Sequence, residues 1–321
     1  MSALLERLGV ELPVVQAGMG GGLARHELAA AVSEAGGLGT IGMLDAPPLR
    51  SELESARERT SKPIAANLLL PFARRAHFEA AEAADVVVTF WGRPRRRSNG
   101  IWIHQCGSVE EARAASDAGA DAVIAQGREA GGHVRGELPA LELLERVRGA
   151  LAAGYPVLLA GGIADGADVR AALDAGADAA VLGTRFLMTE ESGAHPAYKA
   201  RLVGGGETVL TELFGLGWPA PHRVLPNAAT ARRLRGDPRG PRRLRAINRA
   251  AVPLSKLGPM SSTMRLAALQ RPGRPLFTPA APVEGAPDSL VEAGALYAGE
   301  TVARIAEVRP AGPLTRELAT Y

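Results

Sequence analysis

Eight short apolar runs recur along the chain up to Gly183: Leu12–Gln16, Leu38–Gly42, Pro63–Leu68, Asp85–Phe90, Ile101–Gln105, Val123–Gln126, Pro156–Ala160 and Asp178–Gly183. Within each, apolar residues follow one another instead of alternating with polar ones. That is the pattern of strands covered on both faces. Helical spacing fills most of the gaps. Leu28, Ala31, Val32 and Ala35 form one apolar stripe, ended by Gly36-Gly37. Further helices are predicted near Leu49–Thr60, Ala73–Ala84, Val109–Ala118 and Leu138–Ala152, with Ser108 as the N-cap of the third of these and Glu110 and Glu111 in its first turn. The connection Trp91–Gly100 is too short for a full helix. Eight such units predict a (β/α)8 TIM barrel. A doubly wound open sheet would have fewer units and a G-x-G-x-x-G after the first strand, a spacing that Gly18–Leu23 does not meet.

After Glu191 the rhythm breaks. The expected organisation is a barrel over 1–203, a small helical or irregular cap domain over 204–295, and a C-terminal helix over 296–321 returning to the barrel. That helix is expected at Leu296–Ile305, with Asp288-Ser289-Leu290 as a helix start just before it. The segment Arg223–Arg249 is rich in arginine. It reads either as the solvated face of the cap or as a patch for an anionic cosubstrate. Aromatic residues do not interleave with its arginines, which argues against single-stranded nucleic acid.

Composition narrows the class further. At 321 residues and 46% apolar, the chain can bury a large core, and its 4% aromatic content suits close-packed helices on a parallel sheet. A net charge of +3 makes no case for nucleic acid. Cys106 is the sole cysteine, which excludes an internal disulfide framework and a thiolate zinc cluster. It reads as a small buried residue, and His104 as structural. No His, Asp and Glu cluster shows metal-ligand spacing, so no metal is expected. No run approaches the ~20 apolar residues of a membrane span, and the first residues lack a basic region followed by an apolar stretch. The expectation is a cytoplasmic protein without membrane contact.

In such barrels reacting groups lie at the C-terminal strand ends. Here those ends carry Gln16 to Gly20, Asn67, Gln105-Cys106, Gln126, Gly161-Gly162 and Gly183-Thr184. After the sixth strand comes Glu129-Ala130-Gly131-Gly132-His133, two small residues and a group able to exchange a proton near neutral pH. On its own this is equally a glycine turn with a surface histidine. The loops after strands seven and eight are the usual place for a phosphate, gripped by backbone amides, with the Thr184 hydroxyl as an added donor. A single phosphate site fits FMN better than a dinucleotide. Met19 is placed to lie on a ring face, and Asn67 and Gln126 to meet ring edges. Core packing for Met19 and satisfaction of nearby backbone for the two amides are the alternative readings.

These residues resemble a known family. Val14–Met19, Leu28–Ile41, Asn67-Leu68-Leu69, Ala125–His133, Leu159–Ile163 and Leu182–Phe186 are similar to segments of nitronate monooxygenases, over about residues 10–200, and Leu296–Glu300 is similar to their C-terminal part. Related motifs occur in FMN-dependent enoyl-acyl carrier protein reductases and NADH:quinone reductases. The resemblance implies an FMN-bound barrel with His133 as catalytic residue. It implies that Gln126, Gly131, Gly162 and Val181, Leu182, Gly183 and Thr184 contact FMN, with Gly18, Met19, Asn67, Gly132 and Gly161 completing that site. The implied reaction is oxidation of alkyl nitronates by O2 to a carbonyl compound and nitrite. His133 would hold the nitronate if protonated, or remove an α-proton if neutral. The alternative is an NAD(P)H-dependent reductase of a quinone or enoyl thioester, and a third possibility is a phosphate-ligand-binding barrel without turnover. The region 204–295 matches poorly, so substrate choice and oligomeric state stay open.

Overall fold

The computed structural model describes residues 2–255, 258–274 and 276–320. All eight apolar runs form strands: Val14–Gln16, Gly39–Ile41, Ile64–Leu69, Val86–Phe90, Ile101–Cys106, Ala122–Gln126, Val157–Ala160 and Ala180–Leu182. They pair in parallel and in chain order, the eighth returns to the first with Val15 opposite Val181, and a bridge from Val15 to Leu38 brings the first strand to the second. The sheet is therefore a nearly closed (β/α)8 barrel, as the apolar runs predict. Between Phe90 and Ile101 there is no helix, again as expected.

Side chains of alternate strand residues fill the barrel, among them Val15, Val88, Ile103, Ile124, Leu158 and Val181. Leu4 and Leu5 of an unanticipated N-terminal helix, Ala3–Leu8, join that same cluster beside Val86 and Ala179 at the strand starts. The outward-facing residues pack under the helices in a second layer. Three aspartates close the N-terminal rim. Each sits just before an even-numbered strand and accepts an N–H from the first or second residue of the preceding strand. Asp85 holds Ile64 N–H at 2.7 Å, Asp121 holds Trp102 N–H at 2.9 Å and Asp178 holds Val157 N–H at 2.8 Å. Each also pairs with an arginine: Arg57, Arg96 and Arg148 respectively.

Beyond the barrel lie helices Ala228–Arg233, Arg242–Ala250, Val252–Ser255 and Met260–Ala267. A small antiparallel sheet, not expected from the sequence, joins them to the barrel. Val209–Thr211 pairs with His222–Val224, which pairs with Gly132–His133 from the loop after strand six. The helix expected at Leu296–Ile305 is not there. Glu300–Arg304 is a 3-10 turn, and the C-terminal α-helix is Ala311–Leu318. The reason is local. Gly299 N–H donates to Thr184 Oγ1 at 2.9 Å and Glu300 N–H to the Glu129 carbonyl at 3.0 Å, so these groups are spent on the barrel mouth rather than on helix. Ala311–Leu318 packs against His26–Glu34 and Gly166–Asp174, which covers the outer side of the first and last units.

Candidate functional site

A cavity of about 1080 Å³ opens at the C-terminal ends of the strands, between the barrel and the second lobe. Pockets for drug-sized ligands run to about 300–1,000 Å³. Gly18, Met19, Asn67, Gln126, Gly131, Gly132, His133, Gly161, Gly162, Val181, Gly183 and Thr184 all line it, so residues far apart in sequence meet there. Leu182 is the exception. It is buried in the outer layer between strands and helices, and it touches the rim only through its carbonyl, which accepts the Ala17 N–H at 2.9 Å. Strand alternation dictates this, since Val181 faces inward and its neighbour must face out.

The two glycine loops are built as anion receptors. Gly161 and Gly162 both have positive φ, 108° and 75°, which turns consecutive backbone N–H groups toward one side. Among the described residues, the N–H groups of Gly161, Gly162, Gly183 and Thr184 donate to nothing. Thr184 opens the short helix Thr184–Leu187, and its hydroxyl oxygen accepts from Gly299 N–H, which leaves its own proton to donate.

His133 is held in place from several sides. The Gln126 side-chain amide donates to the His133 carbonyl at 3.0 Å and its oxygen accepts the Arg135 N–H at 2.9 Å. Gln126 thus staples the histidine loop, with one N–H left for a ligand. Gly131 lets the 298–299 backbone pass, since a Cβ there would sit 2.5 Å from Gly299 N. The imidazole stacks on Trp218 at 3.7 Å between centroids, with Trp91 edge-on at 6.5 Å and Tyr297 at 5.5 Å. What surface it keeps opens into the cavity rather than to bulk water. Its Nε2 is enclosed and has no hydrogen-bond partner among the described residues. Burial first, and then the neighbouring His222, holds its pKa well below the ordinary histidine value, so the ring is neutral at pH 7. His222 is different. Its Nδ1 donates to the Ala220 carbonyl and its Nε2 accepts from Phe214 N–H, and burial brings it down to about 4. It is a satisfied structural group.

The aromatic wall was not legible from the sequence. Trp218 carries no motif, Tyr297 was visible only within the family-like segment Leu296–Glu300 without a role, and Trp91 only as the start of a short connection. One signal was present: with no helix after strand four, the chain had to turn at once. Trp91 does so at φ 59°, the sole positive-φ residue other than glycine among those described, and the Arg135 guanidinium lies 4.9 Å over its ring.

Other candidates resolve plainly. Cys106 is fully buried, its thiol pushed up to about 12 by burial. His104 meets Thr89 Oγ1 at 2.8 Å and is brought down to about 4 by burial. One possible ligand trio does form, His26, Glu27 and Glu52, which spacing along the chain could not show. Glu52 already accepts Arg25 Nε at 2.8 Å and His26 N–H at 2.9 Å, so its oxygens serve as a helix-end anchor.

Comparison with known proteins places this arrangement. A family model described as nitronate monooxygenase matches residues 1–94 and 73–320. The nitronate monooxygenase of Pseudomonas aeruginosa is 35% identical over 263 residues, 64% of this chain and 74% of that one. A (3aS,4S,5R,7aS)-5-hydroxy-7a-methyl-1-oxo-octahydro-1H-indene-4-carboxyl-CoA dehydrogenase of Mycobacterium tuberculosis is 34% identical over 245 residues. The match covers 69% of this chain, which spans 65% of the length of that relative. Among solved structures, FabK from Thermotoga maritima superposes with a TM-score of 0.78 at 30% identity, over 100% of this chain and 95% of that one. Among the described residues no helix is long and apolar enough to cross a membrane.

Proposed function

The chain belongs to the nitronate monooxygenase family and is an oxidoreductase; from that premise we propose that it binds FMN in the barrel-mouth cavity and oxidises alkyl nitronates with O2 to a carbonyl compound and nitrite. One observation carries the reading. Four backbone N–H groups with no acceptor among the described residues, at Gly161, Gly162, Gly183 and Thr184, line the same cavity as a neutral imidazole. That donor set suits a phosphate monoester. Gly18, Met19, Asn67, Gln126, Gly131, Gly132 and Val181 would face the isoalloxazine. When bound, the flavin supplies the electron transfer between substrate and O2.

The chain's own residues position and move protons. Because His133 is neutral, its role is that of a base toward a nitroalkane, taking the α-proton and so forming the nitronate in place. Its enclosed Nε2 leaves Nδ1 as the atom that meets the substrate. Toward a nitronate supplied already deprotonated, His133 has no proton to remove and acts only by position. Trp218 fixes the ring plane, and the lobe covers the cavity from bulk water. In this reading residues 1–203 bind the cofactor, 204–295 form the cap, and 296–321 return to the barrel.

A second reading, an NAD(P)H-dependent reductase of a quinone or enoyl thioester, is favoured by the size of the cavity and by the CoA-ester dehydrogenase among the relatives. The deciding assay is nitrite release from propyl nitronate in air by the FMN-loaded protein. Nitrite and propanal in equal amounts support the first reading. Their absence, with NADH consumed in the presence of a quinone or an enoyl thioester, supports the second.

A further inference from the structure

Helix Arg242–Ala250 runs on through Ala251 into the turn Val252–Ser255. The Ala251 N–H donates to the Ile247 carbonyl and the Ser255 N–H to the Ala251 carbonyl, each at 3.1 Å. A helical period therefore sorts the side chains of the whole stretch onto two faces. The inner face carries Leu244, in one apolar cluster with Phe214 and Phe277, and Asn248, whose amide donates to the Glu212 carbonyl at 3.2 Å. Ser255 closes that face, its hydroxyl donating to the Gly217 carbonyl at 2.7 Å. The outer face carries Arg243, Ile247 and Leu254 in one line, four and then seven residues apart, with Arg242 and Arg249 beside it. All five are exposed, Ile247 by 49% and Leu254 by 71%. Apolar exposure is not scattered over the molecule. Of the seven large apolar side chains exposed among the described residues, four fall between 247 and 269: Ile247, Leu254, Leu266 and Leu269.

Charge is concentrated in the same region. Residues 228–274 hold eleven arginines and one lysine against a single acid, Asp237, whereas the whole chain is only +3, so the remainder is acidic. On the helix itself, Arg245 and Arg249 each meet Glu212 at 3.8 Å, while Arg242 and Arg243 have no ion pair among the described residues. We propose that this outer face docks on an anionic lipid bilayer, Ile247 and Leu254 entering the boundary between headgroups and acyl chains while the arginines meet lipid phosphates. Charge complementarity selects an anionic partner, and the apolar line selects lipid. A nucleic-acid backbone would leave Leu254 in water. Two large apolar side chains are too few for the apolar centre of a protein–protein interface. A bilayer needs no shaped complement and takes both kinds of side chain at one depth. Such contact needs no spanning run, the ground on which no membrane contact was expected. Ser255, next to Leu254, lines the barrel-mouth cavity, so docking brings that mouth near the phase in which apolar substrates concentrate.

The full chain should sediment with vesicles of equal parts phosphatidylglycerol and phosphatidylcholine in about 0.05 M salt, and stay in solution with pure phosphatidylcholine vesicles or in about 0.5 M salt. Arg242→Glu combined with Arg243→Glu should weaken that binding about thirtyfold or more. Leu254→Asp should weaken it about tenfold. The same charge reversal at Arg113 and Arg316, exposed on barrel helices, should leave it nearly unchanged. Cys106 is fully buried, so Leu254→Cys supplies one reactive thiol. A polarity-sensitive dye attached there should shift its emission to shorter wavelength on the anionic vesicles. Absence of sedimentation, equal sedimentation with both lipids, equal losses from the two pairs of charge reversals, or a dye that does not shift overturns the proposal.

Discussion

The two ends of one barrel are built from the same eight strands and differ in what they leave unpaired. At the N-terminal end three strand starts, those of strands three, five and seven, are closed by an aspartate: Asp85, Asp121 and Asp178 each accept an N–H from the start of a strand and pair with an arginine. Leu4 and Leu5 pack into the barrel beside these strand starts. At the C-terminal end the N–H groups of Gly161, Gly162, Gly183 and Thr184, all lining the cavity, have no partner among the described residues. Buried polar groups left open are normally a fault in a fold. Four N–H groups lining one cavity mark where something else is meant to complete the hydrogen bonding. The lower rim holds the structure, and the upper rim holds back its donors for a ligand.

Substitutions at the two ends should therefore separate activity from stability. His133→Asn has the largest expected effect. Turnover of nitroethane by the FMN-loaded protein should fall about 10²–10⁴-fold, while the thermal midpoint stays near that of the wild type. Turnover of preformed ethyl nitronate should fall much less. Asp178→Ala is the counterpart at the lower rim. It removes an acceptor from the Val157 N–H and leaves Arg148 without its carboxylate. Urea unfolding should show a loss of about 2 kcal/mol, with kcat of the folded enzyme unchanged. A fall in kcat matching that of His133→Asn would break the division between the rims.

Gly162→Ala comes next. Its φ of 75° places an alanine in the left-handed region, at a cost of about 1–2 kcal/mol. The space beside it is ordinary, since the nearest atom to the new Cβ is 3.5 Å away. The strain should tilt the receptor loop, and FMN affinity, followed by fluorescence quenching, should weaken about tenfold. The smallest effect is one of pH. A histidine of ordinary pKa near 6.5 would be half protonated there, and a base's rate would have dropped about twofold. Burial lowers the His133 pKa, so its neutral form persists to lower pH. The rate on a nitroalkane should stay flat from pH 8 to 6.5 and decline only below that. A midpoint at or above 6.5 would mean that the imidazole is exposed or carries a carboxylate partner.

The barrel was legible because strand formation here is local. Continuous apolar runs such as Val86-Val87-Val88 and Val157-Leu158-Leu159 become buried strands whatever lies elsewhere, and chain order alone sets their neighbours. The glycine loops were legible for the same reason, since their positions follow from the strand ends. The aromatic wall was not. Trp218 reaches His133 only because His222-Arg223 pairs with Gly132-His133, a contact across about ninety residues that no local pattern announces. The three rim aspartates escaped notice because a lone acid before a strand looks like any surface acid. The C-terminal helix was misplaced because Leu296–Ile305 has helical apolar spacing, yet its backbone is tied to Thr184 and Glu129. The neutrality of His133 depends on burial, which spacing does not report.

The most direct measurement is the visible absorption of the FMN-loaded protein mixed anaerobically with propyl nitronate, and separately with NADH. A lowered flavin band within seconds of adding the nitronate, its return on admitting O2, and no change with NADH is the predicted result. Failure of the protein to retain FMN, or a band lost to NADH and untouched by the nitronate, would contradict it.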